Sequence, residues 1–154
     1  MIKSLFLLFL LCPLPLLADF SGKCVSVADG DTITVLTAEN IQIKVRLYGI
    51  DCPEKKQDFG QKAKEFTASL VFDKQVDVKE SEKDRYGRTI GRVYRDGKYV
   101  NLEIIKAGFA WHYKQYSKDV DLADAESRAR ESKVGLWSGK PIPPWEFRKI
   151  IKSP

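Results

Sequence analysis

Two neighbouring segments alternate with a period of two, and they constrain the fold more than any other feature of the chain. From Thr32 to Thr37, Ile33 and Val35 face one way and Thr32, Thr34 and Leu36 the other. From Ile41 to Tyr48, the row Ile41, Ile43, Val45 and Leu47 alternates with Gln42, Lys44, Arg46 and Tyr48. Successive side chains of a strand point to opposite faces, so each segment reads as a half-buried β-strand. Glu39-Asn40 turns the chain between them. Arg46 falls on the face opposite the apolar row.

The remaining elements follow from the same reading. Gly22 to Ala28 reads as a strand ending at the turn signal Asp29-Gly30. Over Gly60 to Phe72 the period becomes helical, with Phe59, Ala63, Phe66 and Leu70 in register. Val76 and Val78 alternate with Asp77 and Lys79 in a fourth strand. Thr89 to Arg95 is a fifth, closed by Asp96-Gly97. Asn101 is placed to cap a helix from Leu102 to Ala107, with Gly108 as its stop. Asp121 to Ser132 reads as a last helix carrying Leu122, Ala125 and Ala129 on one side. The tail from Pro141 to Arg148 is too proline-rich to predict regular structure. The chain is therefore α+β: a five-stranded OB-type β-barrel with about three α-helices. That shape often holds nucleic acid or sugar but does not name a reaction.

A chain of 154 residues, 44% of them apolar, suits one domain with a single core. Residues 1–18 read as a secretory signal, with Lys3 as its positive region and Leu5 to Leu17 as its apolar run. Cleavage is expected after Ala18, and Cys12 as a lipid anchor is the competing reading. The folded domain then covers residues 19–140, and residues 141–154 form a Pro/Trp-rich tail. The mature protein is expected outside the cytoplasm, secreted or periplasmic, as a monomer without stable membrane association. The formal charge of +5 fits a polyanionic partner but carries little weight alone. Cys24 and Cys52 survive cleavage, and export makes a disulfide between them an open question. His112 is the single histidine. It sits between Trp111 and Tyr113 and reads as packing, so mechanisms that need paired histidines are excluded.

The chemistry-bearing residues cluster around strand ends. Asp31 and Asp51 each follow a strand, where oxygen ligands for a hard cation can converge. Either is also an ordinary turn residue when read alone. Glu54 lies three residues beyond Asp51, within reach of a water to be deprotonated; a helix cap or a surface charge is the plainer reading. Arg46 and Arg88 are candidates for phosphate, because a guanidinium is planar, stays charged and forks onto two oxygens. Tyr86, Tyr113 and Tyr116 can stack on bases or sugars. A half-buried core position is the commoner fate of such a tyrosine.

Three blocks carry a resemblance: Asp29-Gly-Asp-Thr32, Arg46-Leu-Tyr-Gly-Ile-Asp-Cys-Pro-Glu54 and Asp84-Arg-Tyr-Gly-Arg88, followed by Gly135-Leu-Trp137. In this order they resemble the staphylococcal nuclease (thermonuclease) family, from about Val25 to Trp137. The resemblance implies Ca2+ held by Asp31, Asp51 and the backbone carbonyl of Cys52. It implies Arg46 and Arg88 on the scissile phosphate, with Glu54 as the proposed general base. Tyr86 and Tyr116 become candidate substrate contacts. The implied reaction is calcium-dependent hydrolysis of DNA and RNA that leaves 3′-phosphates. Cys52 departs from the threonine often found there, and the stretch from Glu54 to Gly60 is short for a loop covering the site. The alternative is a non-catalytic secreted OB-fold module that binds nucleic acid without turnover, or a secreted structural or carbohydrate-binding domain. Inert relatives typically lose part of the set Asp31, Arg46, Asp51, Glu54 and Arg88, whereas this chain keeps all of it.

Overall fold

A computed structural model describes residues 19–152. The expectations for the leader, including Cys12 and the cleavage point, lie outside the described residues. Five strands close into a barrel: β1 (Phe20–Asp29), β2 (Thr32–Thr37), β3 (Gln42–Leu47), β5 (Gln75–Lys83) and β6 (Thr89–Arg95). Antiparallel pairs run β3-β2-β1-β5-β6, and a parallel pairing of β3 with β6 seals the cylinder. β7 (Lys98–Tyr99) extends β6, and β4 (Ile50–Asp51) pairs separately with β8 (Trp111–His112). The helices are α1 (Gly60–Val71), α2 (Val100–Lys106), α3 (Val120–Glu131) and α4 (Pro144–Ile150). This is the expected α+β OB-type fold with one more helix than predicted.

Alternation does what the sequence implied. Ile33, Val35, Val45 and Leu47 are buried in the barrel with Val76, Val78 and Val93. Burying each such side chain is worth about 1.5–3 kcal/mol. Ile41 is the exception: it precedes β3 and is 57% exposed. α1 buries Gly60, Ala63, Thr67 and Val71, so Ala63 of the expected row is at the centre of its inner face while Phe66 and Leu70 pack partly buried at the side. Thr67 Oγ1 donates to the Gly30 carbonyl at 2.6 Å and pins the helix to the β1–β2 turn. A Cβ at Gly30 would lie 2.8 Å from Cys52 Cβ and 2.9 Å from Ala63 Cβ. Gly30 therefore serves close packing between turn, helix and site as well as turning the chain.

Two local expectations are corrected. Asn101 does not cap α2; Tyr99 precedes the helix and Asn101 lies inside it, fully buried. Its Oδ1 accepts from Val93 N–H at 3.1 Å and its Nδ2 donates to the Tyr48 carbonyl at 2.9 Å. A buried amide is worth more satisfying two interior backbone groups than one helix end. The proline-rich tail is also not irregular. Pro144 occupies the first helical position, where a missing N–H costs nothing, and α4 runs from it. Tyr113 and Trp145 stack with ring centroids 5.4 Å apart and planes 3° from parallel, and Trp111 meets Trp145 edge-on. Cys24 and Cys52 are free and buried, so no disulfide joins them. No helix among the described residues is long and apolar enough to cross a membrane.

Candidate active site

β3 ends, the chain turns at Gly49, and β4 begins: this short path sets the site. Gly49 has φ +75°, a conformation that suits glycine. The turn brings Asp51 back beside Arg46, five residues earlier. Arg46 Nη2 lies 3.0 Å from Asp51 Oδ1 and 3.3 Å from Asp31 Oδ2. One nitrogen thus reports that both carboxylates converge on a common point. Arg46 Nη1 donates to the Leu47 and Ile50 carbonyls at 3.1 and 2.8 Å. Arg46 is on the polar face of β3 as expected, but it is not an exposed strand charge. Both of its Nη atoms are committed to protein acceptors.

Asp31 is fixed from two further directions. Cys52 N–H donates to Asp31 Oδ2 at 2.7 Å, and Thr32 Oγ1 lies 3.3 Å from Oδ1. Burial pushes the Asp31 carboxyl up to about 7, against the pull of Arg46, and the charges of Asp29 and Asp51 add to the rise. The Cys52 thiol is raised well above its ordinary range by burial and then by Asp31, which keeps it inert. Burial opposes the Arg46 cation, but the carboxylates around it prevail and raise its pKa.

Arg88 reaches the same cleft from the β5–β6 turn. Asp84 organises that turn: its Oδ1 accepts from the Tyr86 and Arg88 amides, and its Oδ2 from Arg88 Nε at 2.7 Å. Although burial works the other way, these donors hold the Asp84 carboxyl below its usual range. With Nε taken, both Arg88 Nη atoms remain for a ligand. Gly87 at φ +78° has open space around it, so the turn needs it for conformation alone. Tyr86 is 69% exposed beside Arg85, whose guanidinium lies 4.9 Å from the ring centroid. Tyr116 is likewise exposed, whereas Tyr113 is half-buried under Trp145.

Glu54 lies in the loop between β4 and α1. It caps nothing: α1 starts at Gly60 after Phe59, with no side-chain cap. Glu54 N–H donates to Gln57 Oε1 at 3.0 Å, and its carbonyl accepts from Gln57 N–H at 2.8 Å. A Cβ at Gly60 would run into the Glu54 carbonyl, so the glycine lets this loop fold tightly onto the helix start. One residue of the site escaped the sequence reading. Arg148 of α4 donates from Nη1 to Glu54 Oε1 at 2.7 Å and from Nη2 to Asp51 Oδ2 at 2.9 Å. Burial disfavours this cation too, yet the Asp51 and Glu54 bonds raise its pKa. No sequence signal singles it out, because the tail gave no element on which to place it.

Asp31, Arg46, Asp51, Cys52, Glu54, Tyr86, Arg88, Tyr116 and Arg148 all line one cleft of about 670 Å³. His112 does not. It is buried with Nε2 3.2 Å from Ser117 Oγ, which accords with a packing role. Among the described residues, no group of three or more His, Cys, Asp or Glu side chains could hold a metal ion. The donor chemistry nonetheless fits a hard cation. Two converging carboxylates, one kept from ionising chiefly by burial with the charges of Asp29 and Asp51 adding to it, match a cation that fills its shell with backbone and solvent oxygens.

An OB-type barrel here gathers carboxylates and guanidiniums into one cleft. The family described as staphylococcal nuclease homologue matches over residues 44–139. An uncharacterized endonuclease of Haemophilus influenzae is 46% identical over 131 residues, 84% of this chain and 74% of the relative. A micrococcal nuclease of Shigella flexneri is 40% identical over 156 residues, covering 94% and 89%. A staphylococcal-like nuclease of Arabidopsis thaliana is 43% identical over 109 residues, 70% of this chain and 34% of that one. The chain belongs to the staphylococcal nuclease family.

Proposed function

We infer that this protein is a nuclease that hydrolyses phosphodiester bonds of DNA and RNA with calcium. The observation that carries the reading is the convergence of Asp31 and Asp51 on one arginine nitrogen, in a cleft that also presents Arg88 and Glu54. Asp31, Asp51 and the carbonyl of Cys52 would hold Ca2+. When bound, the ion supplies Lewis-acid stabilisation of a phosphoryl oxygen and lowers the pKa of water. Glu54 takes the proton from the attacking water. Arg88, with two Nη atoms free of Asp84, forks onto the phosphate. Arg46 has its Nη atoms spent on Leu47, Ile50 and Asp51, so it first offers Nε and the field of its charge. Exposed Tyr86 and Tyr116 flank the cleft as stacking surfaces for the flanking nucleotides.

The signal-like residues 1–18 support export, and with it action on nucleic acid outside the cytoplasm as a monomer. The test is direct. Purified protein is incubated with plasmid DNA and with RNA, in calcium or in chelator. Cleavage of both, only in calcium, and with 3′-phosphate ends, is the expected result. Binding without cleavage would return the protein to the non-catalytic module.

A further inference from the structure

We propose that Arg148 is a positioning residue that holds the Glu54 carboxylate beside Asp51, and that α4 is the element that delivers it. The inference rests on the nuclease reading above.

The loop from Pro53 to Phe59 has no ladder or helix to fix it. Its internal backbone bonds are Gln57 N–H to the Glu54 carbonyl and Gly60 N–H to the Gln57 carbonyl. These hold the main chain at few points, and the Glu54 side chain, on a half-buried residue, finds its partner outside the loop. The C-terminal segment supplies the missing restraint at two points. Arg148 Nη1 bonds Glu54 Oε1 at 2.7 Å while the same guanidinium spans both Asp51 oxygens, at 3.3 and 2.9 Å. Gln57, whose Oε1 accepts from the Glu54 amide, donates from its Nε2 to the Ile142 carbonyl. One end of the tail therefore grips the side chain of Glu54 and the other grips the residue that caps its backbone.

The guanidinium takes Oε1 and leaves Oε2 for a proton. A planar fork suits this duty better than an ammonium, because it fixes the two carboxyl groups relative to each other. α4 is only seven residues long and buries little of its own beyond Pro144. What seats it is the Trp145–Tyr113 stack and the Trp145–Trp111 edge contact, which do not involve the acids. Trp145 and Ile142 thus anchor the segment independently of Arg148. The family match ends at residue 139, ahead of Ile142, Trp145 and Arg148.

The full chain is compared with Arg148→Met, Arg148→Lys and Arg148→Met in a Glu54→Gln background. All are first checked for an unchanged fold by circular dichroism and thermal melting. Readouts are kcat and KM on an oligonucleotide, calcium affinity by calorimetry, and amide exchange of residues 54–60 without calcium. Arg148→Met should lose about 10–100-fold in kcat, the range for removing a group that orients a reacting one. KM should hold within about twofold, because Arg148 touches no substrate, whereas calcium should bind more tightly, because Asp51 loses a competing cation. Arg148→Lys should recover part of the rate. In the Glu54→Gln background Arg148→Met should cost nothing more, since the pair acts as a unit. Exchange across residues 54–60 should rise in Arg148→Met.

Unchanged or faster turnover with tighter calcium binding would mean that Arg148 occludes the cation, and would overturn the proposal. A raised KM with kcat intact would make it a phosphate contact instead, with the same consequence. So would a full additional loss in the Glu54→Gln background. If the wild-type protein cleaves nothing in calcium, the nuclease reading fails. The exchange measurement still decides the positioning claim, and unaltered protection of residues 54–60 overturns it.

Discussion

Replacing Arg46 with methionine tests the electrostatics of the site before any catalysis is measured. Methionine keeps the length and apolar stem but removes the charge. Arg46 is only 15% exposed in its side chain, against 9% for Asp31 and 2% for Asp51. Removing one member of a buried ion pair costs about 3–5 kcal/mol, because the remaining charge is left uncompensated. Arg148 continues to pair Asp51 at 2.9 Å, so the deficit falls on Asp31. The Leu47 and Ile50 carbonyls also lose their donor. Asp31 retains the Cys52 N–H and can escape further cost by taking a proton. We therefore expect the lower end, about 3 kcal/mol at pH 8.

The pH dependence has a definite sign. The folded pKa of Asp31 is already raised to about 7 by burial, and loss of Arg46 raises it further. An acid whose folded pKa exceeds its unfolded value destabilises the fold increasingly as pH climbs between the two. The stability gap between wild type and Arg46→Met should thus be wide at pH 8 and narrow near pH 5, where Asp31 is neutral in both. Urea unfolding followed by tryptophan fluorescence at the two pH values measures it. A loss below about 1 kcal/mol at pH 8, or an equal loss at both pH values, would refute the picture of Arg46 as counter-charge to buried carboxylates.

Glu54→Gln should stay folded and bind calcium and nucleic acid yet cleave about 10²–10⁴-fold more slowly in single-turnover assays; wild-type turnover would remove Glu54 from the mechanism. Arg88→Lys keeps a charge but loses the fork that Asp84 orients, so kcat should fall by about 10²–10³ with a smaller change in KM, and a near-normal rate would show that Arg88 does not clamp the phosphate. Asn101→Leu should cost about 3 kcal/mol in chemical denaturation by stranding the buried Val93 N–H and removing the donor to the Tyr48 carbonyl. His112, the one histidine in the chain, should titrate by NMR with a midpoint below 6.5, because burial lowers its pKa despite the Glu126 charge. Its depressed folded pKa means stability is lost as pH falls from about 6.5 through that midpoint.

Local periodicity was enough to place the five barrel strands, because a two-residue repeat of Ile33, Val35, Val45 and Leu47 has only one economical burial. The polar blocks at Asp29–Thr32, Arg46–Glu54 and Asp84–Arg88 were legible for a related reason: each is a turn or strand end whose residue order sets its own geometry. Asp84 organising Arg88 within five residues is one such case. What sequence alone left undecided depends on partners distant along the chain. Asn101 reads as a helix cap until the tertiary fold puts Val93 and Tyr48 within its reach. Arg46 reads as a phosphate candidate, and only the β1–β2 turn that brings in Asp31 and the Gly49 turn that brings back Asp51 show that it also serves as counter-charge to two buried carboxylates. Arg148 is the extreme, 94 residues from Glu54 and on a helix the prolines seemed to forbid. Short-range order follows from propensity and period, which each residue carries with it. The pairing of charges across a cleft follows from closure of the barrel and docking of Trp145 on Tyr113, and only the packed chain decides those.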